Sequence, residues 1–365
     1  MIGRLLAPRN AGRLRVVQLI GSPRPGGAET YFLRLVRALA GEVEILVVAR
    51  RGGWVAQRAA ALGLPLCEVG FRGSLDLLTP WRIGRILRGF RADLAQSWMS
   101  RATAALPRRP AVPVIARLGG YYPLKYYRRA DWLCANTEDI AGWLLRQGAP
   151  RERVVVVPNM APRAAMLDEG LRRRTRETLG LGDADRLLLA AGRLHQVKAF
   201  DVAIEALVAL PGNVHLVIAG EGLLHDDLRA RAERAGLAPR VHLVGWQDEL
   251  APWIAAADLW LVPSREEPLG NTVLDAWAHG RPVVAADATG PRGLIREGLD
   301  GLLVPRDDPA ALAAQAARVL ADPALAQRLV EGGRQRLESE LAPATIVARW
   351  LELYERAIAA GPGGH

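Results

Sequence analysis

The sequence predicts an α/β chain built from two doubly wound parallel sheets, and three observations carry that reading. The chain has 365 residues, enough for two domains with separate cores. Short apolar strands alternate with amphipathic helices in both halves, the pattern of parallel sheets with helical crossovers. Each half opens with a strand that ends in a glycine-containing loop, at Gly26-Gly27 and at Gly192. In such sheets the ligand lies beyond the carboxyl ends of the strands. Two sheets of similar build therefore predict two lobes facing across a cleft. Pro158-Asn-Met-Ala-Pro162 reads as the linker, giving a first domain over 1–162 and a second over 163–342.

In the first half, Leu14–Ile20 reads as a strand, Gly21–Gly27 as a loop, and Ala28–Leu39 as a helix with Phe32, Leu35, Val36 and Leu39 on its apolar face. Strands follow at 42–49, 64–69, 94–98, 112–118, 132–136 and 154–157, with helices at 54–62 and 82–90. The loop after the strand ending at Leu118 carries four tyrosines between Gly119 and Tyr127. It suits a sugar acceptor by stacking and hydrogen bonding, although aromatic packing under a loop explains it equally well. Tyr121, Tyr122 and the preceding Arg117 are its candidate residues.

The second half restarts the pattern with a strand at 186–191, the loop Gly192-Arg-Leu-His-Gln-Val-Lys198, and a helix at 200–210. A strand at 214–219 ends at Gly220-Glu-Gly222, a helix covers about 226–235, and a strand at 241–244 ends at Gly245-Trp246. Asp258–Val262 is a further strand, followed by Pro263–Gly270 as an acidic loop, a helix from about Asn271 to Gly280, and a strand at 282–286. The tail from Pro343 to Ala360 is one amphipathic helix with Ile346, Val347, Trp350, Leu351, Tyr354 and Ile358 on its apolar face.

The stretch from Pro263 to Pro282 concentrates the chemistry. The helix start at Leu269-Gly270-Asn271-Thr272 offers unpaired backbone N–H groups, which suit phosphate. Glu266, Glu267 and Asp275 flank it. Carboxylates repel phosphate but accept from sugar hydroxyls, so the pair of features fits a ligand carrying both. Carboxylates that merely complement a helix N-terminus are the plainer explanation.

Lysine usage points the same way. Lys125 and Lys198 are the only lysines among 48 basic residues. A lysine in a loop at a strand's carboxyl end supplies a compact point charge. With Arg193 five residues earlier, it could hold a diphosphate and neutralise it as it leaves.

Charge and composition narrow the classes. The net charge of +10 is split: residues 1–165 hold 26 basic against 10 acidic side chains, and residues 166–365 hold 22 against 28. A basic first half fits an anionic lipid or other anionic acceptor. The short arginine runs match no nucleic-acid module, so nucleic acid is not expected. No apolar stretch approaches membrane-spanning length. Leu5-Leu6-Ala7 within the basic Met1–Arg15 is too short for a signal-peptide core, which predicts a cytoplasmic protein. Cys67 and Cys134 make neither a disulfide framework nor a zinc site. The first loop is not GxGxxG, so no dinucleotide cofactor is indicated.

Gly26-Gly-Ala-Glu29, Gly192-Arg-Leu-x3-Lys198, Ala219-Gly-Glu-Gly222 and Glu267-Pro-Leu-Gly-x4-Asp275 occur in this order and cover nearly the whole chain from about residue 14. Jointly they resemble the retaining glycosyltransferases of family 4, which have the GT-B fold. The resemblance implies two facing Rossmann-like domains, a nucleotide sugar held by the second, an acceptor meeting the first, and a final helix at 343–360 packing back on the first. It implies Arg193, Lys198 and Glu267 as the catalytic group, the basic pair on the diphosphate and Glu267 on the sugar hydroxyls. Donor contacts would come from Gly26, Gly27, Gly222, Trp246, Leu269, Gly270, Asn271, Thr272 and Asp275. No cofactor and no metal are implied, because the basic pair and the helix terminus supply the positive charge.

Three departures accompany the resemblance. Asp275 stands where the family has Glu, and Ala199 where glycine is usual after the lysine. The six histidines, at 195, 215, 225, 242, 279 and 365, all lie in the second half, so the histidine that many relatives carry in the first domain is missing. The expected activity is transfer of a sugar from a nucleoside diphosphate to a glycan or lipid-linked acceptor of lipopolysaccharide core, capsule or exopolysaccharide, at the inner face of the cytoplasmic membrane. A nucleotide-sugar epimerase of the same fold, or a binding protein without turnover, are the alternatives.

Overall fold

The computed structural model describes residues 12–71, 76, 78–162, 168–247 and 249–363. Most of the basic N-terminal stretch, and His365, lie outside them. The chain forms two compact units, Met1–Met160 with Pro343–His365, and Ala161–Ala342.

The first unit runs β1 (Arg15–Ile20), α1 (Gly27–Leu39), β2 (Glu44–Arg50), α2 (Trp54–Ala61), β3 (Leu66–Val69), α3 (Leu78–Phe90), β4 (Leu94–Trp98), α4 (Met99–Ala104), β5 (Val114–Leu118), β6 (Trp132–Ala135), α5 (Glu138–Arg146) and β7 (Val154–Val156). Its sheet has the order β3-β2-β1-β4-β5-β6-β7 with every pair parallel. Strand β1 is buried along its whole length, as a central strand covered on both faces must be. On one side Ile83, Ile86, Leu87 and Phe90 of α3 close over Val17 and Leu19 of β1 and Leu46 and Val48 of β2. Arg15 is almost fully buried because its charge is met. It pairs with Glu44 at 2.7 Å and donates to the Phe90 carbonyl, while Asp93 accepts from its backbone N–H.

The second unit runs α6 (Glu169–Thr178), β8 (Arg186–Ala191), α7 (Phe200–Val208), β9 (Val214–Ala219), α8 (His225–Arg234), β10 (Val241–Leu243), α9 (Ala251–Ala256), β11 (Leu259–Val262), α10 (Asn271–Ala278), β12 (Val283–Ala286), α11 (Thr289–Leu294), β13 (Leu302–Val304), α12 (Pro309–Ala321) and α13 (Pro323–Glu340). Its sheet is also parallel throughout, in the order β10-β9-β8-β11-β12-β13. Asp168, Asp308 and Asp322 cap α6, α12 and α13 by accepting from backbone N–H groups, and proline follows at the start of the last two. Arg172 and Arg176 of α6 both reach Asp258, which also accepts from the Leu187 N–H, and this ties the helix to the start of β8.

The last helix, α14 (Pro343–Ala360), returns to the first unit and packs on α1 and β4. Its buried stripe is Ile346, Trp350, Leu353, Tyr354 and Ala357. Val347, Leu351 and Ile358, expected on that face, are only half-buried, because the stripe runs one step further round the helix. The Tyr354 hydroxyl reaches Gln18 Nε2 at 3.0 Å and also Gln96, so α14 meets the sheet through a buried polar cluster. The stretch Pro158–Pro162, within which the chain passes from the first unit to the second, is largely buried. Asn159 accepts from Arg117 at 2.7 Å, the Met160 N–H donates to the Tyr31 hydroxyl, and the Ala161 N–H donates to the Leu341 carbonyl. Protein groups thus take up several of its polar groups.

Candidate functional site

In the second unit the chain winds outward from β8 to β9 and β10, then crosses to β11 on the other side of β8. The loops after β8 and β11 therefore leave the sheet at its topological switch point, where open α/β sheets bind ligands. Lys198 ends the loop after β8, and Glu267 lies in the loop after β11. The Lys198 ammonium donates to Glu267 Oε2, joining the two loops. Both are largely withdrawn from solvent, with side-chain exposures of 21% and 9%.

The backbone around Glu267 is fixed from two sides. Its Oε1 accepts from the Gly270 N–H at 3.3 Å, and its carbonyl accepts from the Gly290 N–H at 2.6 Å. Gly270 opens α10 with φ of 69° and packs against Leu294, so it meets both the left-handed and the close-approach requirement for glycine. Thr272, second in α10, has a buried hydroxyl without a hydrogen-bond partner among the described residues. It lies at a helix start whose first N–H groups lack intrahelical acceptors. Asn271 and Asp275 are half-buried on the first two turns of the same helix.

Lys198 closes a short 3-10 turn, Gln196–Lys198, and its aliphatic stem lies across Gly192. Ala199, where glycine is usual, sits in the left-handed region with φ of 52°. That conformation costs an alanine roughly 1 kcal/mol, so the loop is strained where it delivers the lysine. Arg193 is exposed, and its guanidinium makes no hydrogen bond or ion pair among the described residues. Within the second unit, Lys198, Glu267, Gly270, Thr272 and Asp275 are thus gathered on or beside the head of α10.

One contributor escaped the sequence reading. Arg265 donates to both oxygens of Asp201, at 3.0 and 2.7 Å, to the Gln196 carbonyl at 2.9 Å, and to Asp307. It thereby clamps the Glu267 loop to the Lys198 loop from behind. Burial works to raise the Asp201 carboxyl, but hydrogen bonding and charge from Arg265 outweigh it and hold the group below its ordinary value.

Other second-unit residues expected at the donor form a tier of loops. The Gly192 N–H donates to the Ala219 carbonyl and the Gly220 N–H to the Gly245 carbonyl, which sets Trp246, half exposed, on the same rim. A methyl group on Gly220 would overlap the Gly192 carbonyl, and one on Gly222 the Leu194 carbonyl. The need for glycine at 222 is therefore met by backbone packing.

In the first unit, Gly26 and Gly27 begin α1 at that sheet's own switch point, between β1 and β4. Met99, directly after β4, takes a left-handed φ of 60°, a second point of strain at a sheet rim. Tyr122 is half-buried near Glu29, and burial, then the Glu29 charge, pushes its phenol up. Tyr121 packs edge-on against Trp143 with ring centroids 6.0 Å apart. Arg117, expected on the acceptor side, instead lies in the unit's interior, 2% exposed, between the rings of Tyr31 and Trp350. Cation–π contact and the Asn159 hydrogen bond occupy it there.

Among the described residues no group of three or more His, Cys, Asp or Glu side chains is placed to hold a metal ion. No helix among them is long and apolar enough to cross a membrane.

Residues 25–162 match the family described as Glycosyltransferase Family 4, and residues 185–322 match Glycosyl transferases group 1. The chain is 34% identical to the lipopolysaccharide core biosynthesis glycosyltransferase LpsE of Rhizobium meliloti, over 90% of this chain and 96% of the relative. It is 31% identical to LpsD of the same organism, over 92% and 96%. Among solved structures, HepE of Anabaena in complex with UDP and glucose superposes with a TM-score of 0.83 at 20% identity, covering 94% of this chain and all of that one.

Proposed function

The chain belongs to glycosyltransferase family 4, and we propose that it transfers a hexose from a nucleoside diphosphate sugar to the core of lipopolysaccharide, with retention and without a metal. The observation that carries this reading is the Lys198–Glu267 pair at the second unit's switch point, beside the head of α10. LpsE and LpsD, matched over nearly their whole lengths, supply the acceptor class. HepE, bound to UDP, makes uracil the first base to test. These relatives do not favour the epimerase or the binding-only alternative. The cytoplasm is the proposed compartment.

In this reading the ion pair is the resting state of the site. An arriving diphosphate draws the Lys198 ammonium toward itself, and Arg193, exposed nearby, adds a second positive charge. The N–H groups at the start of α10 and the Thr272 hydroxyl receive the phosphate and sugar oxygens. Glu267, released from the lysine but still held by the Gly270 N–H, accepts from the sugar hydroxyls. Asp275 receives the ribose hydroxyls. As the glycosidic bond breaks, charge builds on the leaving diphosphate, and preorganised cations stabilise it most at that moment. This fixed charge performs the task a divalent cation would otherwise perform. Departure and attack occur on one face of the sugar, with the leaving phosphate accepting the acceptor's proton.

Thermal stabilisation by UDP, GDP, ADP and TDP without added metal tests the donor site. A nucleotide at a hundredfold its dissociation constant raises stability by about 2.7 kcal/mol. A shift with one base, lost in Lys198→Ala, is the expected result. No shift with any nucleotide would remove the nucleotide-sugar assignment.

A further inference from the structure

Glu29, near the start of α1, is a carboxylate held almost out of water with nothing to bind. It is 7% exposed, and its side chain makes no hydrogen bond or ion pair among the described residues. An internal partner is at hand and is not taken. Glu29 is the third helical residue after the N-cap Gly26, where a glutamate often reaches back to the N-cap N–H. The side chain does fold back, since a methyl added to Gly26 would lie 2.7 Å from Oε2, yet that hydrogen bond is absent. A buried carboxylate left unpaired is costly, and a group arriving from outside would use it.

Two tyrosines of the loop after β5 stand beside it. The Tyr122 ring folds back over Gly120, where an added methyl would meet it at 3.4 Å. Its phenol lies close enough to Glu29 to be affected by that charge. The hydroxyl of Tyr127, a residue 1% exposed, is buried with no hydrogen-bond partner among the described residues, and Tyr122 is near it in turn. Tyr122 therefore joins a buried carboxylate to a buried hydroxyl, both unspent. Glu29 lies just past the switch point between β1 and β4, and the tyrosines just past the end of β5. All three thus belong to the carboxyl-end rim of the first sheet. No histidine precedes His195 in the chain, so this rim offers a carboxylate and phenols where an imidazole would otherwise serve.

We propose that Glu29 and Tyr122 seat two neighbouring hydroxyls of the acceptor sugar, the carboxylate accepting from one and the phenol bonding the other. The chemistry selects that ligand. A carboxylate offers acceptors only, so it takes hydroxyl or ammonium donors and repels phosphate. An ammonium group would satisfy Glu29 but leave the phenol O–H without an acceptor, whereas a sugar diol satisfies both. A hydrogen bond to a charged group is about twice as strong as a neutral one, so a single carboxylate sets the orientation of the ring. The acceptor is therefore uncharged at its reacting end, and any anionic group it carries lies away from Glu29. No proton is transferred in this seat; the acceptor's proton still leaves with the diphosphate. The inference rests on the proposed sugar transfer and adds the acceptor's chemistry to it.

The test measures transfer to lipopolysaccharide of truncated core, with nucleotide-induced stabilisation and urea unfolding read on the same proteins. Glu29→Met should lower kcat/KM for the acceptor on the order of ten- to a hundredfold, the scale of a lost hydrogen bond to a charged group. Glu29→Gln, which still accepts, should recover part of it. Tyr122→Phe should cost about three- to tenfold, and Tyr126→Phe, exposed in the same loop, should cost nothing. Nucleotide-induced stabilisation should be unchanged throughout, because Lys198 and α10 lie in the second unit. Glu29→Met should unfold at the same or a higher urea concentration, since it removes an unpaired buried carboxylate; a purely structural glutamate would make it unfold earlier. An acceptor lacking the hydroxyl beside the reacting one should be as poor a substrate for the unaltered chain as the full acceptor is for Glu29→Met. The two losses should not add. Unchanged acceptor kcat/KM in Glu29→Met, additive losses, or a loss accompanied by earlier unfolding would overturn the seat. No transfer and no nucleotide stabilisation in the unaltered chain would instead remove the sugar-transfer reading, and the seat with it.

Discussion

Arg265 grips Asp201 with two parallel hydrogen bonds, and that fork fixes the distance between the two loops that carry Lys198 and Glu267. Arg265 stands two positions before Glu267 and Asp201 three after Lys198, the pair proposed to meet the ligand. Replacing Arg265 with Met should let the loops drift, and a misplacement near 1 Å costs about a hundredfold in rate. Arg265→Lys keeps the charge but loses the fork, so it should recover only part of kcat/KM. The Asp201 carboxyl is held below its ordinary value, so its contribution to stability is full above about pH 4. It is lost as pH falls through the lower, folded-state value. An unchanged kcat/KM in Arg265→Met would show that the loops keep register without the fork.

Lys198→Ala should abolish nucleotide-induced stabilisation and lower transfer on the order of a hundred- to a thousandfold, the scale seen for removal of one preorganised donor. Glu267→Gln should behave differently. The amide still accepts from the Gly270 N–H and from sugar hydroxyls but no longer holds Lys198 by charge. Nucleotide affinity should stay equal or rise, because the lysine is released, while turnover falls. Parallel loss of affinity in both variants would mean that the ion pair itself, and not the free lysine, forms the nucleotide site.

How much of this was legible in the sequence depends on the kind of contact involved. Central strands such as β1 and β9 read clearly because burial on both faces leaves mostly apolar runs, broken only by Arg15, Gln18 and His215. The second-domain loops read clearly because glycine and a lone lysine mark them. The short α4, α9 and α11 and the three-residue β13 left no periodic signal. The burial of Pro158–Pro162 was not legible because its packing depends on Tyr31, Arg117 and Leu341, which lie far away in sequence. Arg117 misled for the same reason: a charge between two aromatic rings is invisible until α1 and α14 are placed. Arg265 was hidden among 46 arginines, and only its geometry sets it apart.

His215 and His242 stack on the neighbouring strands β9 and β10, with ring nitrogens 3.2 Å apart. One donates and the other accepts, which requires at least one neutral ring. Burial lowers both, and the proximity of His215 lowers His242 further; Arg240 and Arg176 disfavour charge on His215 while Asp185 favours it. Folded values below the unfolded value near 6.5 mean that the unfolded chain binds protons first. Stability should be full above about pH 6.5 and decline as pH falls through it toward the lowered folded values. Melting temperatures between neutral pH and about pH 5 should therefore drop less steeply in His215→Asn. An identical slope would place the acid sensitivity elsewhere.

Gly220→Ala offers the sharpest test of the loop tier. With φ of 150°, Gly220 occupies backbone space that side chains avoid, and an added methyl would overlap the Gly192 carbonyl. Backbone cannot swing aside as a flexible side chain can, so the Gly192–Lys198 loop must shift as a whole. Overpacking of this kind costs about 1 to 3 kcal/mol, with the strained φ in addition. Gly212→Ala is the matched control, since nothing lies within 4 Å of the added methyl and its φ is outside the left-handed region. Urea unfolding should show the loss in Gly220→Ala and nearly none in Gly212→Ala. Because Lys198 rides on the displaced loop, Gly220→Ala should also weaken nucleotide binding. A Gly220→Ala protein that binds nucleotide normally would mean that the loop after β9 does not support the lysine.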